Sequence, residues 1–180
     1  LYAFSSENWK RPKAEVDGLM GLLTHFLKQK TPSLMKNNIR LRVIGAVDKL
    51  PDSSRQQLEE TIEITAGNTA LTLVVALSYG SREEIVRATR HLMEKAASGE
   101  MNPEQVTVEN FGDFLYTHDC PDPDLLIRTS GEFRISNFLL WQISYSEIYI
   151  TDVLWPDFRR THLEDAIADY QKRHRRYGGL

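Results

Sequence analysis

The sequence predicts an α/β domain with a mainly parallel central sheet flanked by helices. Three observations predict it. Strand-like apolar runs alternate along the chain with segments of helical periodicity, as βαβ units require. Residues 71–77 (Leu-Thr-Leu-Val-Val-Ala-Leu) are almost continuously apolar, as a parallel strand covered on both faces should be. No repeat, low-complexity stretch or linker divides the 180 residues, and the loop at 117–123 is too short to separate domains, so residues 1–180 read as a single domain.

The elements follow in order. Leu1-Tyr2-Ala3-Phe4 reads as a strand already under way, being neither a start methionine nor a signal peptide. A preceding strand and helix are therefore expected to be missing from this chain. Residues 5–11 are polar and irregular. Pro12 suits a first helical turn, and Val16, Leu19, Met20, Leu23, Phe26 and Leu27 recur at helical spacing; this stripe is either core or the lining of an apolar tunnel. A strand is expected at 39–45 and a helix at 51–66, with Leu58, Ile62 and Thr65 on one face. After the 71–77 strand, Ser78-Tyr79-Gly80-Ser81 turns into a helix over 82–97 whose expected core contacts are Ile85, Val86, Leu92 and Met93. A short helix is expected at 108–116, a strand at 125–128, a helix at 137–144 and a strand at 148–151. Thr161 and Glu164 fit a capping box, which predicts a last helix from 161 to about 177, ended by Gly178 and Gly179.

Composition narrows the function. A net charge of −3 argues against bulk attraction to nucleic acid or anionic lipid, so any anion site must be local. Cys120 is the one cysteine and cannot form an internal disulfide, and no apolar run approaches the ~18 residues that cross a bilayer. A cytoplasmic protein with at most peripheral membrane contact is expected. There is no Gly-x-Gly-x-x-Gly, Gly-Lys-Ser/Thr, His-Glu-x-x-His or Cys-His cluster, and no Asp-Asp pair. The last absence excludes the Asp-Asp-x-x-Asp signature of the all-helical prenyltransferases.

Anion-binding groups concentrate just past the 125–127 run: Arg128, Arg134 and Ser136, with Glu132 between them and a predicted helix start at Asn137. Guanidinium forks, a hydroxyl and helical N–H groups suit a phosphate, and a loop after a buried strand is where an open α/β sheet places its ligand. The competing reading is a structural ion pair of Arg128 with Glu132 or Asp124. Glu147 could offer a carboxylate to magnesium near the same sheet edge, or be a surface acid. Ser5-Ser6-Glu7-Asn8-Trp9-Lys10-Arg11 also follows a strand; it is either a mobile lid or a helix-entry loop with Trp9 as a packing anchor. The run Lys172-Arg173-His174-Arg175-Arg176 reads as a solvated helix end whose cations offset the helix dipole, or as an arm that reaches a phosphate site.

Three blocks together resemble the cis-prenyltransferase family of the undecaprenyl diphosphate synthase type. They are residues 2–12 (Tyr-Ala-Phe-Ser-Ser-Glu-Asn-Trp-Lys-Arg-Pro), residues 124–142 (Asp-Leu-Leu-Ile-Arg-Thr-Ser-Gly-Glu-Phe-Arg-Ile-Ser-Asn-Phe-Leu-Leu-Trp-Gln) and Trp155-Pro156-Asp157-Phe158. With residues 40–45, 66–69 and Arg176-Tyr177-Gly178, the resemblance covers essentially the whole chain.

The resemblance implies repeated condensation of isopentenyl diphosphate onto an allylic primer such as farnesyl diphosphate, giving a long cis-polyprenyl (undecaprenyl) diphosphate lipid carrier. Matched by motif, Arg128, Arg134 and Ser136 would hold the diphosphate of isopentenyl diphosphate, Glu132 would belong to the same pocket, and Glu147 would help bind magnesium. Ser5, Asn8, Trp9 and Arg11 match the family's mobile loop, with Asn8 and Arg11 positioning the substrates. Arg176 and Gly178 match a terminal motif that completes the partner's site in the family's homodimers. Two departures stand out. The family's Asp-Gly-Asn-Gly-Arg loop has no counterpart, and without it little turnover is expected; Ser78 and Ser81 stand where the family more often has Asn and Gly. The rival expectations are a non-catalytic partner subunit of the same family and, more remotely, another phosphate-binding α/β module.

Overall fold

In the computed structural model, which describes residues 1–174, the chain opens with β1 (Tyr2–Ser5), and a 3-10 turn at Ser6–Lys10 follows it directly. Helix α1 (Lys13–Lys36), β2 (Ile39–Ile44), α2 (Asp52–Thr65), β3 (Leu71–Tyr79) and α3 (Ser81–Ala97) come next. Where a short helix was expected at 108–116 there is α4 (Val108–Phe111) and a 3-10 turn at Gly112–Phe114. Then come β4 (Leu125–Arg128), β5 (Glu147–Ile150) and α5 (Arg160–Gln171). Contacts group the chain into two units, Leu1–His118 and the segment from Asp119 onward. No helix among the described residues is long and apolar enough to cross a membrane.

In the first unit the strands run in the order β1-β3-β2, and both ladders are parallel. The most apolar strand is central, paired along both edges, and its second half is buried. Register sets Ser5 opposite Tyr79 and Ile44 opposite Ala76, so the strands end close together. Gly45 continues β2 at φ +114°, where a Cβ would lie 2.1 Å from the Leu77 carbonyl oxygen. Only glycine fits there. The core joins Phe4, Val16, Met20, Leu41, Leu50, Leu58 and Leu77, with Leu19, Leu23 and Leu27 packed partly against it. Phe26 of the predicted α1 stripe is 46% exposed. The facing helices α1 and α2 also meet through hydroxyls, Thr24 with Ser54 at 3.0 Å and Thr31 with Thr61 at 3.2 Å.

The expected core face of α3 is corrected in part. Ile85 and Leu92 are half-buried, Val86 and Met93 are exposed, and the fully buried positions are Ser81, Glu84 and Ala88. The helix is turned this way because Glu84 has partners for both carboxylate oxygens: the Tyr79 hydroxyl donates to one at 2.5 Å and the Tyr116 N–H to the other at 2.8 Å. A charge with such partners can be buried; without them it could not.

In the second unit β4 and β5 form a two-stranded parallel sheet, pairing Leu125 with Glu147 and Arg128 with Ile150. All ladders among the described residues are therefore parallel, in keeping with the mainly parallel sheet predicted, but they form two sheets. The expected helix at 137–144 is not formed. Ser136, Asn137 and Leu139 hold φ of +57°, +59° and +50°, the left-handed region, whereas a right-handed helix needs about −63°. The Ile143 N–H donates to the Leu139 carbonyl at 2.9 Å, and Gln142 and Ile143 are buried. The expected capping box at the last helix is also corrected: the Arg159 N–H donates to His162 Nδ1 at 3.0 Å, while Glu164 pairs with Arg160 at 2.7 Å. Helix α5 ends at Gln171, short of the expected 177.

Candidate active site

Arg128 is the last residue of β4, so its side chain leaves the sheet at the carboxyl end of a strand. Its Nε is buried without a hydrogen-bond partner among the described residues. The expected structural pairing with Glu132 is not made, because Glu132 pairs with Arg134. A buried, unpartnered guanidinium edge costs free energy, and an anion would satisfy it.

The loop beyond β4 is held by its own backbone. Ser130 N–H donates to the Val153 carbonyl and Gly131 N–H to that of Thr151, each at 2.9 Å. These two amides are thereby committed, and the helix start expected at Asn137 is not there to add its N–H groups. Anion-binding capacity rests on side chains: Arg128, Arg134 and the exposed Ser136, whose hydroxyl has no partner among the described residues. Of the six non-glycine residues at positive φ among the described residues, Ser130, Ser136, Asn137 and Leu139 lie in this one loop. Strain of this kind collects where the surroundings fix an otherwise unfavourable geometry, commonly at binding sites.

Glu147 does not share the edge expected for it. It is the first residue of β5, level with Leu125, and Arg128 lies three register positions further on. That is about 10 Å along the strands, and period-two alternation puts the two side chains on opposite faces. Glu147 Oε2 instead accepts from Arg173 Nη1 at 2.7 Å, and its Oε1 has no hydrogen-bond partner among the described residues. No cluster of three or more His, Cys, Asp or Glu side chains suited to a metal exists among the described residues. A site with one carboxylate still fits magnesium in the form it takes with phosphorylated substrates, where phosphate oxygens and water complete the shell.

In the first unit, the residues expected to form a lid sit at the carboxyl end of the sheet. Asn8 Oδ1 accepts from the Ser5 N–H at 2.8 Å, which folds the 3-10 turn back on β1. Trp9 is anchored: its Nε1 donates to the Ser78 hydroxyl at 2.9 Å and its ring meets Phe4 edge-on at 4.9 Å between centroids. Arg11 is exposed and pairs with Glu15 one helical turn on, at 2.5 Å. Arg176 and Gly178 lie outside the described residues.

The family model for undecaprenyl diphosphate synthases matches residues 1–178. The chain belongs to the undecaprenyl diphosphate synthase family. An isoprenyl transferase of Bacillus cereus is 54% identical over 180 residues, which are 100% of this chain and 70% of the relative's length. One from Heliobacterium mobile is 51% identical over the same length, 69% of that relative. Among solved structures, a lavandulyl diphosphate synthase from Lavandula x intermedia in complex with dimethylallyl diphosphate superposes with a TM-score of 0.96. It is 36% identical and covers 99% of this chain and 77% of its own. A probable undecaprenyl diphosphate synthase from Campylobacter jejuni superposes with a TM-score of 0.87 at 38% identity, over 99% and 82% of the two chains.

A member of the undecaprenyl diphosphate synthase family is a prenyl-transferring enzyme, and the α/β architecture with parallel ladders is that of its solved neighbours. Sequence reasoning did not connect Arg173 with Glu147: its basic run reads as a solvated helix end or as an arm that reaches a phosphate site. Its spacing of four from Asp169 on a predicted helix was the available signal.

Proposed function

We propose that the protein extends farnesyl diphosphate by repeated cis addition of isopentenyl diphosphate, giving a long-chain, undecaprenyl-type diphosphate lipid carrier. The observation that carries this is Arg128: a strand-end guanidinium whose buried Nε has no partner, in a loop that also presents Arg134 and Ser136. Arg128 holds the diphosphate of isopentenyl diphosphate through charge-assisted bonds, and Arg134 leaves Glu132 to bind the same group. Ser136 adds a neutral donor. Asn8 and Arg11 position the substrates; Arg11 is free to do so because an exposed one-turn ion pair contributes little. Arg176 and Gly178 complete the site of a second copy, so the working form is a homodimer.

Magnesium, when bound, would neutralise charge developing on the departing diphosphate, and Glu147 is the carboxylate that would hold it. The protein's part is to fix these donors before charge develops and to keep water from the allylic carbon. The 180 residues belong to one cis-prenyltransferase catalytic domain, N-terminally incomplete, which works in the cytoplasm on substrates that carry their own charge. The neighbour's bound dimethylallyl diphosphate supports an allylic diphosphate as the primer class. Incubation with magnesium, farnesyl diphosphate and labelled isopentenyl diphosphate tests the reading. Every labelled polyprenyl product is expected to carry new double bonds that are cis by NMR; trans products, or a folded chain that does not bind isopentenyl diphosphate, would contradict it.

A further inference from the structure

Arg173 lies just past α5, beyond the C-cap Lys172. Its Nε and Nη2 donate to Asp169 Oδ2 at 2.9 and 2.6 Å, and its Nη1 donates to Glu147 Oε2 at 2.7 Å and to the Ile148 carbonyl at 3.1 Å. One guanidinium thus gathers acceptors from α5 and β5. Both carboxylates hold its pKa above the ordinary arginine value, Glu147 foremost.

The two halves of this grip differ. Asp169 and the Ile148 carbonyl fix Arg173 whether or not Glu147 is present. Glu147 has Arg173 as its one cationic partner among the described residues, and its side chain is 29% exposed, open enough for an ion to reach. A divalent cation and a guanidinium approach a carboxylate oxygen along the same lone pairs, and each repels the other. Glu147 therefore cannot serve both fully.

Resting on the assignment of the metal to Glu147, we propose that Arg173 is a positioning residue that competes with the divalent cation for that carboxylate. In the metal-free protein it holds Glu147 in one orientation. Metal binding opens the pair, and Arg173 stays on Asp169. The pair sets the ion's affinity low, so the ion binds firmly only when substrate phosphate adds its oxygens.

The test is a titration of the full chain with Mn²⁺, without substrate, followed by the EPR signal of the free ion. Arg173→Gln should tighten uptake roughly two- to fivefold, the factor released when a partly exposed ion pair no longer competes. Arg173→Lys, which keeps the charge but loses the fork, should fall between the two, and it carries the test if Arg173→Gln melts well below wild type. A purely structural role predicts unchanged or weaker uptake. That outcome, or no detectable uptake by wild type and variants alike, overturns the competition. Glu147→Gln separates the two levels: wild-type uptake retained in that variant would remove the metal from Glu147 and sink the underlying assignment instead.

Discussion

The indole Nε1 of Trp9 donates to the Ser78 hydroxyl at 2.9 Å, tying the turn after β1 to the end of β3. Ser78 is buried and holds φ of +49°, so this bond is made by a strained residue at the carboxyl edge of the sheet. Ser78→Ala keeps the strain and leaves the indole N–H without its acceptor, and should cost about 1–3 kcal/mol. Urea denaturation followed by tryptophan fluorescence measures it. An asparagine there would tolerate the left-handed backbone better and still offer an oxygen, so Ser78→Asn should be near neutral. Equal losses in the two variants would show that the bond contributes nothing.

Glu84 is fully buried and accepts from the Tyr79 hydroxyl and the Tyr116 N–H. Glu84→Ala strips the acceptor from two interior donors and opens a cavity. The expected cost is about 3–5 kcal/mol, read from the denaturation midpoint at unchanged slope. A loss below about 1 kcal/mol would mean that water takes over the acceptor role.

Tyr2 donates its hydroxyl to the Tyr79 carbonyl at 3.0 Å, and burial, the leading cause, raises its pKa from 10.0 to about 12. The neutral form is the one the fold favours. Its contribution is complete below pH 10 and is lost as pH rises from there through about 12. Tyr2→Phe should flatten the fall in stability across that interval relative to wild type; parallel curves would contradict the assignment.

Arg134 is 66% exposed and already paired with Glu132, whereas the Nε of Arg128 is buried and unpartnered. Solvent screens the exposed charge, and part of its attraction is spent on Glu132. Arg134→Ala should weaken isopentenyl diphosphate binding by less than about tenfold and by less than Arg128→Ala does. The reverse ranking in equilibrium calorimetry would move the phosphate site outward along the loop.

Much of the fold was legible where hydrophobic pattern alone decides it. The apolar 71–77 run became the central strand β3, and 125–128 became β4 with the same ends. The helix expected at 137–144 is not formed because residue type does not report the sign of φ: Ser136, Asn137 and Leu139 are left-handed. Glu84 could not be recognised as core, since its burial depends on a tyrosine hydroxyl and an amide 32 residues away. The phosphate-binding candidates were legible because Arg128, Glu132, Arg134 and Ser136 lie close together in one short stretch. The partnership of Glu147 with Arg173 spans 26 residues and depends on how α5 meets β5, which no local pattern encodes.

The central claim is that Arg128 receives the diphosphate of isopentenyl diphosphate. Equilibrium calorimetry of that ligand with wild type and Arg128→Ala tests it without requiring turnover. A charged hydrogen bond contributes about 1.5–3 kcal/mol, so the variant should bind roughly 10–150-fold more weakly. Equal affinity in a folded Arg128→Ala protein would contradict the account.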